Sequence, residues 1–424
     1  MTKPANKTNS TVDRRRFLKL GGGALVAPVL ASWLSGCKTD TLASGPLLLS
    51  GYRSHAAATA GRSVGSASIS HGAGKYSPKE GSRLNDKGGK EYFGIAGIDT
   101  TGELAFDIPV NQRVHDNVFL PHSQQAVFFA RRPGTHLYVV DLIEGRIAHT
   151  VTASAQRHFY GHGCVSHDGR YLFASENAFD KQTGCIGVYD VFDNFRRIDE
   201  LPSGGIGPHQ IQWLSDQKTL VVANGGILTH PSRGRKKLNV SSMRPSLAYV
   251  ESRSGHLIDE FLPPHHQQSI RHLDVSDTDT VMIGIQFEGD PTQQLPLAYS
   301  HSGEPELLPF RADRRDWQRH KQYIGSVCTD PSGSELLLSS PRGGIVSHWN
   351  VRRQTLQAIH TQRDGAGLAF VPERSEFYAS NGLGQITAIK RDPSGRLKRT
   401  PHYFHHRSWD NHISVAQSRS NPTV

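Results

Sequence analysis

Short apolar runs broken by turn residues recur along this chain, and the break has a repeating form: a small or polar residue, His, a short apolar strand, then a turn rich in Asp, Pro, Ser and Gly. It reads RVHDNVFLP at His115, YGHGCVSHDG at His162, GPHQIQWLSD at His209 and IRHLDVSDTD at His272. YIGSVCTDPSG at Ser326 and GAGLAFVPE at Gly367 keep the frame without His, and DNHISVA at His412 restores it. The seven copies lie 47, 47, 63, 54, 41 and 45 residues apart. Such spacings match a four-stranded propeller blade of about 40–50 residues.

Within each unit the pattern predicts a second strand (Tyr171 to Ser175, Thr219 to Ala223, Glu335 to Ser339), a third (Ile186 to Asp190, Ser246 to Glu251) and a fourth. Period-2 alternation is clean in some strands and blurred in others, as expected for strands sandwiched between neighbouring blades. The copy at His412 ends near Ala416 with no strands after it, whereas Leu47 to Tyr52, Tyr92 to Asp99 and Glu103 to Pro109 wait unpaired at the other end. Joining them closes an all-β, seven-bladed propeller over residues 46–416 and removes the exposed sheet edges. A single closed ring is expected to be monomeric. Between the first two N-terminal strands, Arg53 to Lys90 is rich in Ser, Gly, Ala and Lys and reads as a long mobile loop.

Innermost strands begin beside the central channel, so His115, His162, His209, His272 and His412 should converge at one mouth. Loops between second and third strands emerge on the same face, and the longest runs from Asn224 to Arg244. It carries Asn224, His230, Arg233 and Arg235; with Arg271 and Glu288 these are candidate ligand-binding residues, the arginines for anion or carboxylate capture. Neutral imidazoles with a nearby carboxylate suit a borderline transition metal, so the five His and Glu176 form the candidate metal set. Iron or copper is the expected ion, and haem is the weaker reading. Two other readings compete: an enzyme of the lactonase or dehydrogenase kind using a mouth His as base, and a scaffold that docks a partner. No catalytic residue can be assigned from the sequence.

Residues 1–36 carry six Lys or Arg and one Asp, which is +5 of the formal net charge of +10. The remaining mild charge argues against nucleic-acid binding. Arg14, Arg15, Arg16, Phe17, Leu18 and Lys19 precede an apolar stretch from Leu20 to Leu34 that is too short to span a membrane. Arg-Arg-x-Phe-Leu-Lys resembles the twin-arginine export motif, with Asp13 where Ser or Thr is usual. Leu-Ser-Gly-Cys resembles a bacterial lipobox ending at Cys37. Residues 1–36 are therefore read as a signal, Cys37 as a lipidated anchor on a tether over 37–45, and residues 417–424 as a disordered tail. The expected place is the periplasm, tethered by lipid to the inner or outer membrane. Cys164, Cys185 and Cys328 show no CxxC spacing and read as buried small apolar side chains.

GIGPHQIQWLSD, VVANGGILTHPSRGRKKLNVSSMRPSL and SIRHLDVS resemble a family of periplasmic propellers exported by the twin-arginine route, over about Leu47 to Ala416. Members of that family are encoded beside imelysin-like lipoproteins and di-haem proteins in apparent iron-uptake clusters. The resemblance implies an iron-related role with partners of those two kinds, and carries over no catalytic residue.

Overall fold

A computed structural model describes residues 45–54, 82–84, 90–234, 236–392 and 396–417. The signal, the Cys37 anchor, nearly all of the tether and of the tail, Arg235 and most of the Arg53 to Lys90 loop lie outside the described residues. The part of that loop that is described is a strand: Ser82–Leu84 pairs with Lys90–Asp99.

Seven antiparallel sheets make a seven-bladed propeller. Blade 1 runs Val114–Leu120, Gln125–Ala130, His136–Asp141 and Arg146–Thr152 from axis to rim, and blade 2 Arg157–Val165, Tyr171–Ala178, Thr183–Asp190 and Arg196–Pro202. Blades 3 to 6 begin at Pro208, Gln268, Ser326 and Gly365 in the same order. Blade 7 is composite. Its inner strand Ser414–Ala416 pairs with Leu47–Ser54, in the register Leu47 to Ala416, Leu48 to Val415 and Leu49 to Ser414. Lys90–Asp99 and Leu104–Val110 complete it.

The blurred alternation has a direct cause. Leu220 and Val222 pack toward blade 2, whereas Val221 and Ala223 on the same strand pack toward blade 4. Likewise Leu47 and Leu49 face blade 1 while Leu48 faces blade 6. Both faces of a middle strand are apolar, and the polar signal is left to the outer strands, which are largely exposed. The core is therefore a ring of clusters between blades, not one centre. Cys164, Cys185 and Cys328 are free and buried, as expected, and Cys164 and Cys328 belong to two of these clusters.

One polar chain crosses this core. The short helix Arg314–Arg319 ahead of blade 5 ends at fully buried His320, whose Nδ1 lies 2.8 Å from the Asp316 carbonyl and must carry the proton. Its Nε2 is then the acceptor facing Ser347 Oγ at 2.8 Å, and the Trp349 indole donates to the same oxygen at 2.8 Å.

Two outcomes are expected. Burial pulls the His320 imidazole down to about 4, the backbone bond to Asp316 opposing. The folded protein thus binds this proton later than the unfolded chain, and stability falls as pH drops from about 6.5 to about 4, by about 1.4 kcal/mol per unit. In urea unfolding across that range, His320→Gln should be less stable near neutrality and lose about one proton's worth of slope. Removing residues 414–424 leaves Leu47–Ser54 without its inner neighbour, and the single cooperative thermal transition should broaden and fall.

Candidate functional site

Five inner strands and their entries contribute imidazoles, and they form a closed but strongly folded pentagon, in which His162 also stands 4.7 Å from His412 and 5.8 Å from His272. Ring centroids around it are 4.7 Å (His412 to His115), 4.8 Å (His115 to His162), 4.3 Å (His162 to His209), 4.8 Å (His209 to His272) and 4.9 Å (His272 to His412). All five rings are buried. They come from blades 7, 1, 2, 3 and 4, a contiguous arc.

Register breaks aim them. In blade 1, Val114 pairs with Ala130 and Asp116 with Phe129, leaving His115 as the extra residue of a bulge. In blade 2, Tyr160, Gly161 and His162 stand opposite Ser175 alone; in blade 3, His209 and Gln210 stand opposite Ala223. In blade 4 the extra residue is Arg271, directly before His272. A bulge bends its strand and redirects the side chain there, so the repeated His leave the blade faces for the axis.

Blades 5 and 6 close the arc differently. Ser326 sits in regular register with Ser339. At Gly367 a Cβ would stand 2.9 Å from the His412 carbonyl carbon and 2.8 Å from the Ile413 nitrogen, so the backbone carrying the fifth His occupies that place.

Carboxylates stand behind the ring. His162 Nδ1 meets Asp116 Oδ2 at 2.7 Å, which leaves Nε2 as the lone-pair nitrogen, and Nε2 is buried without a hydrogen-bond partner. Nδ1 of His209, Nδ1 of His272 and Nε2 of His412 are also buried and unpartnered. His115 Nδ1 lies 3.5 Å from Asp410 Oδ1 without closing a hydrogen bond. Burial would raise the Asp410 carboxyl, but Arg113 and Arg131 hold it well below the ordinary carboxylate range. Burial drives His115, His209 and His272 well below the ordinary imidazole value, and pulls His412 down to about 3 against the opposing charge of Asp116. Neutral imidazoles with unshared lone pairs are ligands in waiting. Two triads have ligand atoms all within 4.8 Å of one another: His115, His162 and His412, and His162, His209 and His272. A first-row ion at about 2 Å from each nitrogen needs only small side-chain shifts from either set.

The two sides of the ring differ in charge. One is a cavity of about 90 Å³ lined by Arg131, Arg132 and Arg271, with Tyr160, Gln286 and Asn411 among its other walls. The other is a channel of about 410 Å³ lined by inner strands of all seven blades, with Asp116, Asp274, Asp277 and Asp330 and no Lys or Arg among the described residues. Burial lifts the Asp274 carboxyl to about 6, against hydrogen bonds from Thr329, Gln212 and Val275.

Several expected residues lie elsewhere. Glu176 is fully buried but faces outward along blade 2: Arg197 pairs with it at 2.8 Å, the Tyr189 hydroxyl donates to it, and Cys185 lies beside it. That carboxylate is spent on a structural ion pair and does not join the His. Asn224 donates to the Ser203 carbonyl at 2.8 Å within blade 3. His230 caps the turn Pro231–Arg233 through Ser232, Arg233 is exposed, and Glu288 pairs with Lys237. Of the anion candidates, Arg271 alone lines the cavity, and Arg235 lies outside the described residues. The long loop is ordered by Asn239, which accepts from Leu228 at 2.7 Å and donates to the Gly226 carbonyl at 2.9 Å. It reaches the mouth at Thr229, 3.4 Å from Arg132. Asp116, Arg131, Arg132 and Tyr160 were not foreseen, although Asp116 adjoins His115.

Residues 108–416 match the family described as "Protein of unknown function (DUF1513)". This chain belongs to the DUF1513 family. The family match begins inside the outer strand of blade 7 and ends at its inner strand, so it spans the whole His pentagon. No curated protein matches the chain. Among solved structures, hydrazine synthase of Kuenenia stuttgartiensis is similar at a TM-score of 0.55 and 14% identity, covering 77% of this chain and 96% of that one. The WD40 repeats of RRP9 are similar at 0.53 and 11%, covering 71% and 83%. Likeness at this identity concerns the propeller fold alone.

Gly161 tests the tight ring. Its φ is +101°, and a Cβ there would fall 2.6 Å from His115 Cδ2. Gly161→Ala should lower stability by about 1–3 kcal/mol in chemical unfolding and shift the His115 ring resonances in NMR.

Proposed function

We propose that this DUF1513 protein is a metal-binding protein of the bacterial envelope, holding a first-row transition ion on the His pentagon. The observation that carries the reading is His162: its Nδ1 is tied to Asp116, its Nε2 is buried without a hydrogen-bond partner, and the residue belongs to both ligand triads. A carboxylate that fixes the tautomer and leaves the far nitrogen to the ion is the usual outer support of a metal-bound His. Burying five imidazoles with unmatched nitrogens costs stability unless something compensates, and a metal ion supplies that compensation.

Imidazole-rich sets favour iron, copper or zinc over calcium, and the resemblance to propellers from iron-uptake clusters makes iron the first candidate. The cavity beside the ring is far below the ~300 Å³ at which organic-ligand pockets begin, which suits an ion better than haem. The acidic channel offers a cation a favourable approach, since one sign of charge lining a narrow passage concentrates the opposite ion. In this reading Cys37 carries the lipid anchor after twin-arginine export, and the protein serves a metal-uptake system as an accessory factor, with imelysin-like and di-haem proteins as its partners.

Elemental analysis of the mature protein purified from the periplasm should find about one equivalent of metal. His162→Ala, His209→Ala and His272→Ala combined should abolish it, and Asp116→Asn should weaken binding roughly 10–100-fold with the fold retained by circular dichroism. Equal metal content in wild type and the triple variant refutes the reading.

A further inference from the structure

The cavity on the basic side of the pentagon is built for something the metal reading alone does not supply. Arg131, Arg132 and Arg271 line it, and no carboxylate does among the described residues. Asp410 lies behind it, already shared by Arg113 and Arg131. Arg271 has no carboxylate within ion-pair distance among the described residues, and its Nε is buried without a hydrogen-bond partner. The blade 4 bulge leaves it unpaired in the ladder, one residue from His272. Tyr160, 4% exposed, presents a buried hydroxyl that faces Thr229 without closing a hydrogen bond.

These groups are donors aimed at a space beside the ring nitrogens. Arg271 lines the same cavity as His209 and His272 and directly precedes His272 in the chain. A metal cation bound to those rings is repelled by this guanidinium, so a cation and this arginine coexist best with an anion between them. A guanidinium matches a planar oxyanion through two parallel hydrogen bonds. The cavity, about 90 Å³, holds roughly three waters' worth of volume, which limits the anion to a few heavy atoms.

We propose that the arginine-lined cavity binds a small planar oxyanion of the carbonate or carboxylate class that bridges Arg271 and the ion on the His pentagon, so the metal is taken as a metal–oxyanion pair. The proposal rests on the pentagon holding a metal. Tyr160 and the Arg271 fork hold one edge of the anion, and its remaining oxygen faces the ion.

The probe is Co²⁺, titrated into the chelator-stripped mature protein in degassed buffer, alone, with sodium bicarbonate and with sodium oxalate, correcting for Co²⁺–oxalate association in solution. Visible absorption and calorimetry report the affinity. In wild type one of the anions should tighten Co²⁺ binding about ten-fold or more, and which one does so separates carbonate from organic carboxylate. The ratio of affinities with and without that anion should fall to near one in Arg271→Gln and recover in part in Arg271→Lys, with unfolding midpoints confirming that both variants fold. No anion effect in wild type, or the same ratio in Arg271→Gln, overturns the bridge while Co²⁺ binding leaves the metal reading standing. No Co²⁺ binding under any condition overturns the metal reading and the bridge together. Oxalate binding to the metal-free protein that vanishes in Arg271→Gln would then retain the anion site by itself.

Discussion

Three residues at one end of the chain, Ser414–Ala416, lie in ladder register with Leu47–Leu49 at the other, and the propeller depends on that short pairing. The core is a ring of clusters between neighbouring blades, so each blade is covered on both faces only when the ring is complete. The closure also bears on the site. Ser50 Oγ donates to the His412 carbonyl at 2.7 Å, and the Asp410 amide donates to the Gly51 carbonyl at 2.8 Å. The last imidazole and its neighbouring carboxylate are thus held by the first strand, and the site is assembled by the step that completes the fold. A ring of this kind cannot finish before the whole chain is made.

Electrostatics then divides the axis into three zones. Aspartates line the channel on one side, buried imidazoles form the waist, and guanidiniums line the cavity on the other. Burial keeps most of the rings neutral, and Asp116 and Asp410 meet two of them from behind. Uncompensated polar atoms at a fold's centre are costly and are retained where they serve a ligand. Unpartnered imidazole nitrogens of five blades are concentrated at one point on the axis.

Much of this was legible in the chain, because a repeat constrains place as well as type. The five His recur at one position of the repeated frame, so their convergence follows from periodicity, as did the composite seventh blade. The misreadings share a cause. Glu176 was read as following the second strand of blade 2, as a mouth residue would, but that strand runs on to Ala178 with side chains alternating in direction, and Arg197 on the outer strand of the same blade claims its carboxylate. Asn224 and Glu288 were likewise taken by neighbours, the Ser203 carbonyl and Lys237. Partners in a blade are tens of residues apart, and nothing local announces them.

By itself, then, the sequence determined the architecture, the blade count, the manner of closure and which five imidazoles meet, since these follow from hydrophobic spacing and a repeated frame. Only the tertiary structure decided what surrounds them. The bulges that turn His115 and Arg271 toward the axis are register differences between paired strands, visible only once both strands are in place. The choice of Asp116 and Asp410 over Glu176 as supporting carboxylates, and the gathering of Arg131, Arg132 and Arg271 on one side of the ring, are distances between blades. Such distances are set by how seven twisted sheets pack around a common axis, which one strand's pattern does not encode.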